Sequence, residues 1–218
     1  MMKIAVIAGG IWDLEWGRKE LAKNIDFVVG VDGGANHAVA AGRIPDILIG
    51  DLDSVKPDVL ALCKEHGAQV LKYPREKDQT DLELALTYVQ RYLEDLGKPE
   101  GEILLFAATG KRLDHLLGNI AVVLGFTEKQ KRILLVEKTY RAWVMLPGEE
   151  FINGEEGQLL SILPLTEEAV VYSRGLYYEL NGERLIHSAA RGISNVFKEN
   201  RVELKVAKGK ILVVLNQN

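Results

Sequence analysis

Near residue 128 the pattern of apolar residues changes, and that change constrains the fold more than any other feature of the chain. Before it, short apolar runs at residues 3–8, 27–31, 47–49, 68–73 and 103–108 alternate with stretches of helical period. The best specified of those stretches places Leu82, Ala85, Leu86, Val89, Leu93 and Leu96 at three- and four-residue steps, and Gly97 closes it. Strands without polar alternation, separated by helices, predict a mainly parallel sheet with helices on both faces. Beyond that point the long helical period disappears. Short strand-like runs at 133–136, 142–146, 158–163, 170–172, 176–180, 202–206 and 211–215 follow, punctuated by Gly, Asn and Pro. The expected class is therefore α/β, followed by an antiparallel β-sandwich domain. The expected domains are 1–128 and 129–218, with the boundary between residues 127 and 132.

Composition narrows the function. Lys plus Arg total 27 against 31 Asp plus Glu, a net charge of −4, so nothing draws the chain to nucleic acid or anionic lipid. The N-terminal apolar run is too short for a secretory segment and reads as a first strand ending at Gly9-Gly10. No stretch approaches the roughly 20 apolar residues of a membrane span. The single cysteine, Cys63, forms no intrachain disulfide and has no metal-ligand spacing, which suits a cytoplasmic location.

Open α/β sheets bind ligands beyond the C-terminal ends of their strands, and acids collect there in this sequence. Asp32 follows the second run, and Asp51 and Asp53 follow the third. Asp78 and Asp81 follow the fourth, at the start of the best helix, and Asp114 follows the fifth. Asp51 and Asp53 point to one side of an extended segment because strand side chains alternate. Carboxylates gathered in one crevice repel one another unless a cation sits among them. Oxygen donors without His or Cys favour Mg²⁺ completed by water and phosphate. Basic residues stand beside these acids: Arg75 and Lys77 before Asp78, and Lys111 and Arg112 before Asp114. An arginine among them can hold phosphate oxygens bidentately. The combination points to phosphoryl-type transfer without a P-loop. Plainer readings stand alongside. Thr80 and Glu83 fit a capping box, Asp32-Gly33-Gly34 fits a simple turn, and Ser54 fits a helix cap. His115 and His37 read as structural, and the runs at 116–117 and 122–124 read as core.

Several segments in order resemble the motifs of the thiamine pyrophosphokinase family. They are Asp32-Gly33-Gly34-Ala35, Pro45-Asp46 with Gly50-Asp51-Leu52-Asp53-Ser54, and Lys77-Asp78-Gln79-Thr80-Asp81 with Leu82-Glu83-Leu84-Ala85-Leu86. Thr109-Gly110-Lys111-Arg112-Leu113-Asp114-His115, Gly175-Leu176-Tyr177-Tyr178 and Gly192-Ile193-Ser194-Asn195 continue the series. The resemblance implies an α/β domain followed by a β-sandwich, in a homodimer whose sites lie between the α/β domain of one subunit and the sandwich of the other. It implies transfer of pyrophosphate from ATP to thiamine, giving thiamine diphosphate and AMP, with Mg²⁺. Asp51, Asp53 and Asp81 would hold the metal, with Asp78 and Arg112 completing the catalytic set. Asp32, Ser54, Lys77, Thr80 and Asp114 would line the nucleotide side. Ser194 and Asn195 would meet thiamine, and Phe197 would stack on its pyrimidine. A pyrophosphokinase for another heterocyclic alcohol such as a pterin, and a non-catalytic nucleotide or thiamine sensor, are the alternative readings.

Overall fold

The computed structural model describes residues 1–110, 112–128 and 132–217, and it divides into two compact units, Met1–Val136 and Glu137–Asn218. In the first unit β1 (Lys3–Ile7), β2 (Phe27–Val31), β3 (Ile47–Gly50), β4 (Gln69–Lys72), β5 (Glu102–Phe106) and β6 (Ile133–Val136) form parallel pairs in the order β6-β5-β1-β2-β3-β4. Five helices are interleaved: α1 (Leu14–Leu21), α2 (Gly34–Ala40), α3 (Pro57–Glu65), α4 (Asp81–Asp95) and α5 (Leu113–Thr127). The central strands are apolar along their length because both faces are covered. Ile4, Val6, Val28, Ile47, Leu48, Ile49, Ile103 and Leu105 are all fully buried. Helix α4 buries Leu82, Ala85, Leu86, Val89 and Leu93, the face that the sequence period marks.

The last parallel strand corrects the expected boundary. Ile133–Val136, read as the start of the β domain, pairs in parallel with β5 from Ile103↔Ile133 to Phe106↔Val136. An all-apolar tetrapeptide looks the same in either kind of sheet, so periodicity did not distinguish them. Helix α5 is a second correction. Of the runs 116–117 and 122–124, which read as core, Val123 is buried but Leu117 is 59% exposed; elsewhere on the helix Phe126 is buried and Leu113 is 68% exposed.

In the second unit β7 (Tyr140–Met145), β9 (Leu159–Pro164), β12 (Asn195–Val196) and β14 (Ile211–Asn216) form one antiparallel sheet in the order β12-β9-β14-β7. A second antiparallel sheet, ordered β11-β10-β13-β8, contains β8 (Gly148–Asn153), β10 (Glu168–Arg174), β11 (Asn181–Ile186) and β13 (Arg201–Lys208). The second sheet buries one face, through Ala169, Val171, Val202 and Leu204, while the first is buried on both along β7 (Ala142 to Met145) and the start of β14 (Ile211 to Val213). The one-sided burial of the second sheet is the β-sandwich pattern. The expected strand at 176–180 is instead a turned segment, tied down by a single bridge between Leu176 and Phe197. Gly175 starts the turn at φ 85, where a Cβ would stand 2.5 Å from the Arg201 carbonyl oxygen.

Candidate active site

The acids of the first unit are brought together by backbone shape at the ends of β2 and β3. Asp32 leaves β2 with φ 45, and its N–H is held by the Ile49 carbonyl at 2.9 Å. Strand β3 ends at Gly50, φ 147, where a Cβ would lie 3.1 Å from Asp32 Cβ and 3.3 Å from Asp81 Cγ. Glycine is therefore what lets two acid-bearing segments close over the strand end. After it come Asp51, Leu52 at φ 65 and Asp53, and the Asp53 N–H folds back onto Asp51 Oδ1 at 3.1 Å. One carboxylate oxygen from each of Asp32, Asp51 and Asp53 lies within 4.8 Å of the others. Asp32 and Asp51 are half-buried and Asp53 is exposed, so the group opens outward. Three oxygen donors with an open side fit Mg²⁺, which keeps positions for water and phosphate.

This places the three-acid group at Asp32, Asp51 and Asp53, where the expected metal set was Asp51, Asp53 and Asp81. Asp81 Oδ1 lies instead 2.9 Å from Lys77 Nζ, which also donates to the Pro74 carbonyl at 3.0 Å. Asp81 remains a wall of the site through its approach to Gly50. Ser54 stays in the group, its N–H on Asp32 Oδ1 at 3.3 Å and its hydroxyl on Asp53 Oδ1 at 2.9 Å. Arg75 Nε stands 3.9 Å from Asp53.

Other expected site residues are engaged elsewhere. Thr80 accepts the Glu83 N–H at 3.2 Å while Glu83 accepts the Thr80 N–H at 2.8 Å, a complete capping box at the start of α4. Asp78 is exposed in the preceding loop. Arg112 grips Asp114 with two nitrogens, at 3.2 and 2.5 Å, and both side chains are largely exposed. The hydrogen bond from Arg112 holds the Asp114 carboxyl below its ordinary range and raises the arginine in turn. Lys111 lies outside the described residues.

In the second unit, two of the three expected thiamine contacts are built into the scaffold. Asn195 is buried, and its amide clamps the main chain of Tyr178, accepting its N–H at 3.0 Å and donating to its carbonyl at 2.7 Å. Phe197 is 1% exposed, with its ring edge where a Cβ on Gly154 would meet it at 2.6 Å. It presents no face to a ligand. Ser194 is exposed, at φ 57, with its N–H on Ser161 Oγ at 3.0 Å. What this framework displays is Tyr177 and Tyr178, 68% and 64% exposed, with ring centroids 5.1 Å apart in an edge-on pair.

Of two neighbours on α2, Asn36 escaped the sequence reading and His37 stands as the structural residue it reads as. Asn36 bonds the loop after Asp53, donating to the Ser54 carbonyl at 2.8 Å and accepting from the Lys56 N–H at 3.0 Å. The His37 ring stacks on Trp12 at 5.7 Å, and its Nε2 lies 3.0 Å from the Gly10 carbonyl. Burial holds its pKa below the usual value. Gly10 is itself zipped to the end of β5, donating to Ala107 at 2.9 Å, while Ile11 donates to Thr109 at 2.7 Å. An Asn directly after Asp32-Gly33-Gly34-Ala35 was the one legible signal for the first of these contacts.

Comparison with known proteins follows the same division. The thiamin pyrophosphokinase catalytic domain matches residues 18–135, and the thiamin pyrophosphokinase vitamin B1 binding domain matches residues 150–211. The thiamine pyrophosphokinase of Bacillus subtilis is 29% identical over 216 residues, covering 98% of each chain. Thiamine pyrophosphokinase 1 of Arabidopsis thaliana is 25% identical over 169 residues, 74% of this chain and 61% of that protein. The crystal structure of the Bacillus subtilis protein superposes with a TM-score of 0.85 at 26% identity, covering 99% of both chains. The Candida albicans thiamin pyrophosphokinase shares the fold with a TM-score of 0.84 at 16% identity, over 100% of this chain and 89% of that one.

Proposed function

The chain belongs to the thiamine pyrophosphokinase family, and on that premise we propose how its own residues serve the reaction. It is an enzyme that transfers the pyrophosphoryl group of ATP to the hydroxyl of thiamine, giving thiamine diphosphate and AMP. The hydroxyl oxygen forms a bond to the β-phosphorus, and the bond from that phosphorus to the α,β-bridging oxygen breaks, so AMP leaves with the electron pair. Such a transfer asks the protein mainly for positioning and for charge matched to the phosphate oxygens.

The observation that carries the site assignment is the approach of Asp32, Asp51 and Asp53 to within 4.8 Å. In this reading those three carboxylates hold Mg²⁺, which when bound supplies positive charge to the terminal phosphates. Ser54 fixes the acids through its bonds to Asp32 and Asp53. Arg75, beside Asp53, reaches the phosphate oxygens on the outer side. Lys77, bound to Asp81 and to the Pro74 carbonyl, sets the wall of the site. The Arg112–Asp114 pair opens to give the guanidinium to phosphate, an exchange between two anions of similar geometry.

Thiamine carries a cationic ring beside a neutral aromatic one, and both suit the faces of exposed tyrosines. Tyr177 and Tyr178 meet thiamine in this proposal, with the Ser194 hydroxyl beside them, while Asn195 and Phe197 hold the platform rigid. A homodimer completes the reading, the first unit of one copy serving with the second unit of another. The family resemblance supports it, and so does the apolar surface that α5 leaves uncovered at Leu113 and Leu117. Among the described residues no helix is long and apolar enough to cross a membrane. A cytoplasmic location is proposed on the solitary, buried Cys63.

The deciding experiment follows nucleotide products by chromatography with Mg²⁺ and ATP, with and without thiamine. AMP appearing in step with thiamine diphosphate is the expected result. Release of ADP, or AMP formed equally without thiamine, would overturn the proposal.

A further inference from the structure

Two of the three acids of the candidate metal site, Asp51 and Asp53, sit on a short span, Gly50 to Ser54, that needs an anchor at each end. At its start Gly50 belongs to β3, and its carbonyl accepts the Tyr73 N–H at 2.9 Å. At its far end no regular structure begins until α3 at Pro57. The Lys56 N-cap of that helix supplies no side-chain cap bond. The fastening there comes from α2. Asn36 Nδ2 donates to the Ser54 carbonyl at 2.8 Å, and Asn36 Oδ1 accepts the Lys56 N–H at 3.0 Å. The amide thus satisfies one acceptor and one donor of an irregular segment, a task a carboxylate, with no hydrogen to donate, cannot do. The same helix is entered through Asp32 and Gly33: Ser54 Cβ lies 3.3 Å from the point a Gly33 Cβ would occupy. One side chain on α2 therefore fixes the distance between the acid before that helix and the two acids on the neighbouring loop.

We propose that Asn36 is a positioning residue for the pyrophosphoryl transfer, setting the spacing of Asp51 and Asp53 to Asp32 and through it the affinity for a divalent cation. The inference rests on the metal reading given above, and the two can fail separately. Asn36 touches none of the reacting groups. Its effect passes through two backbone bonds, and losing both weakens cation binding by about tenfold, the usual worth of one to two hydrogen bonds.

The test uses the full-length protein and Mn²⁺ alone, without nucleotide, with free Mn²⁺ read by electron paramagnetic resonance during titration. Parent protein, Asn36→Ala and Asp53→Asn are compared, and thermal melting is recorded for each. The expected result is saturable binding to the parent, binding about tenfold weaker in Asn36→Ala, and a rise in the Mg²⁺ needed for half-maximal rate with thiamine KM unchanged. A lowered melting temperature with parental Mn²⁺ affinity means Asn36 only anchors α3, and overturns the inference while the metal reading stands. A parent that binds no Mn²⁺, or binds it as well after Asp53→Asn, removes the metal reading and this inference together. Should Asn36→Ala not fold, Asn36→Ser is titrated in its place against the same outcomes.

Discussion

Gly50 is the position where the fold and the site meet most tightly, and replacing it by alanine gives a prediction that the coordinates size directly. Two costs combine. At φ 147 a side chain is strained, a cost of about 1–3 kcal/mol. The new Cβ also stands 3.1 Å from Asp32 Cβ, 3.3 Å from Asp81 Cγ and 3.4 Å from Asp32 Cα, so its neighbours must retreat by a few tenths of an ångström. Asp32 retreats with difficulty, because its N–H is tied to Ile49 and its own φ is 45. Overpacking of this kind adds about 1 kcal/mol, for a total of about 2–4 kcal/mol. In a chain of this size that lowers the melting temperature by about 5–15 °C. The displaced acids lower kcat/KM by about tenfold, since a misplacement of about 1 Å costs about 100-fold. Gly42→Ala is the internal control: φ is 85 there but nothing lies within 4 Å of a Cβ, so only backbone strain of about 1 kcal/mol remains and turnover is unchanged. Calorimetry and steady-state kinetics on both variants decide the matter. Equal effects in Gly50→Ala and Gly42→Ala would refute the argument that Gly50 is required by Asp32 and Asp81.

Four further substitutions probe separate parts of the molecule. Asp53→Ala is expected to reduce turnover by about 10²–10³-fold with melting within a few degrees of the parent, because Asp53 is exposed and bonded only locally; near-normal activity would remove it from the site. Tyr178→Ala raises the KM for thiamine by about fivefold and spares that for ATP, while Phe197→Leu lowers the melting temperature and spares both; the reverse pattern would return Phe197 to the thiamine contact. Hydrogen bonds from Lys208 and Arg184 bring the Glu168 pKa down to about 2, from 4.5, so the carboxylate's stabilising contribution is complete above about pH 4.5 and is lost as pH falls towards 2. Glu168→Gln therefore flattens that acid limb in melting curves recorded against pH, and an unchanged limb would show that the three side chains do not pair in solution.

What the sequence displayed depended on how local the cause was. Helix α4 was legible because its period, its cap and its closing glycine all lie within one segment. The gathering of acids was legible because strand ends in a parallel sheet share one edge, whatever the details of each loop. Which acids join was not. Asp32 enters the group through a positive φ and a glycine two turns of chain away, and neither is written at Asp32 itself. Asp81, expected among them, lies beside Gly50 and pairs with Lys77 from an irregular loop. Strand β6 was misassigned because four apolar residues carry no sign of strand direction, and α5 because apolar content says nothing about what covers it. In the second unit, Phe197 reads as a ligand contact and 176–180 as a strand; the structure buries Phe197 and leaves Tyr177 and Tyr178 exposed on a turned segment that the Asn195 amide clamps. A side chain clamping another segment's backbone has no local signature at all.

Among the described residues four non-glycine ones have positive φ, and their placement shows how the candidate site holds its shape: Asp32 at 45, Leu52 at 65, Ala107 at 50 and Ser194 at 57. Each conformation costs about 1–3 kcal/mol and survives only where the surroundings fix it. Here they do. Asp32 is held by Ile49, the Ala107 carbonyl accepts Gly10, Ser194 is bound to Ser161, and Leu52 is closed over by the Asp53–Asp51 bond. Two of the four frame the acid group, one pins the loop that leads towards Arg112, and one precedes the Asn195 clamp beneath the tyrosines. The strain is therefore spent in the unliganded chain, on geometry that ligands would otherwise have to impose. A cation arriving at Asp32, Asp51 and Asp53 would meet carboxylates whose main chain is already bent towards one another. Little loop ordering then remains to oppose cation binding, and the attraction between opposite charges is available nearly in full.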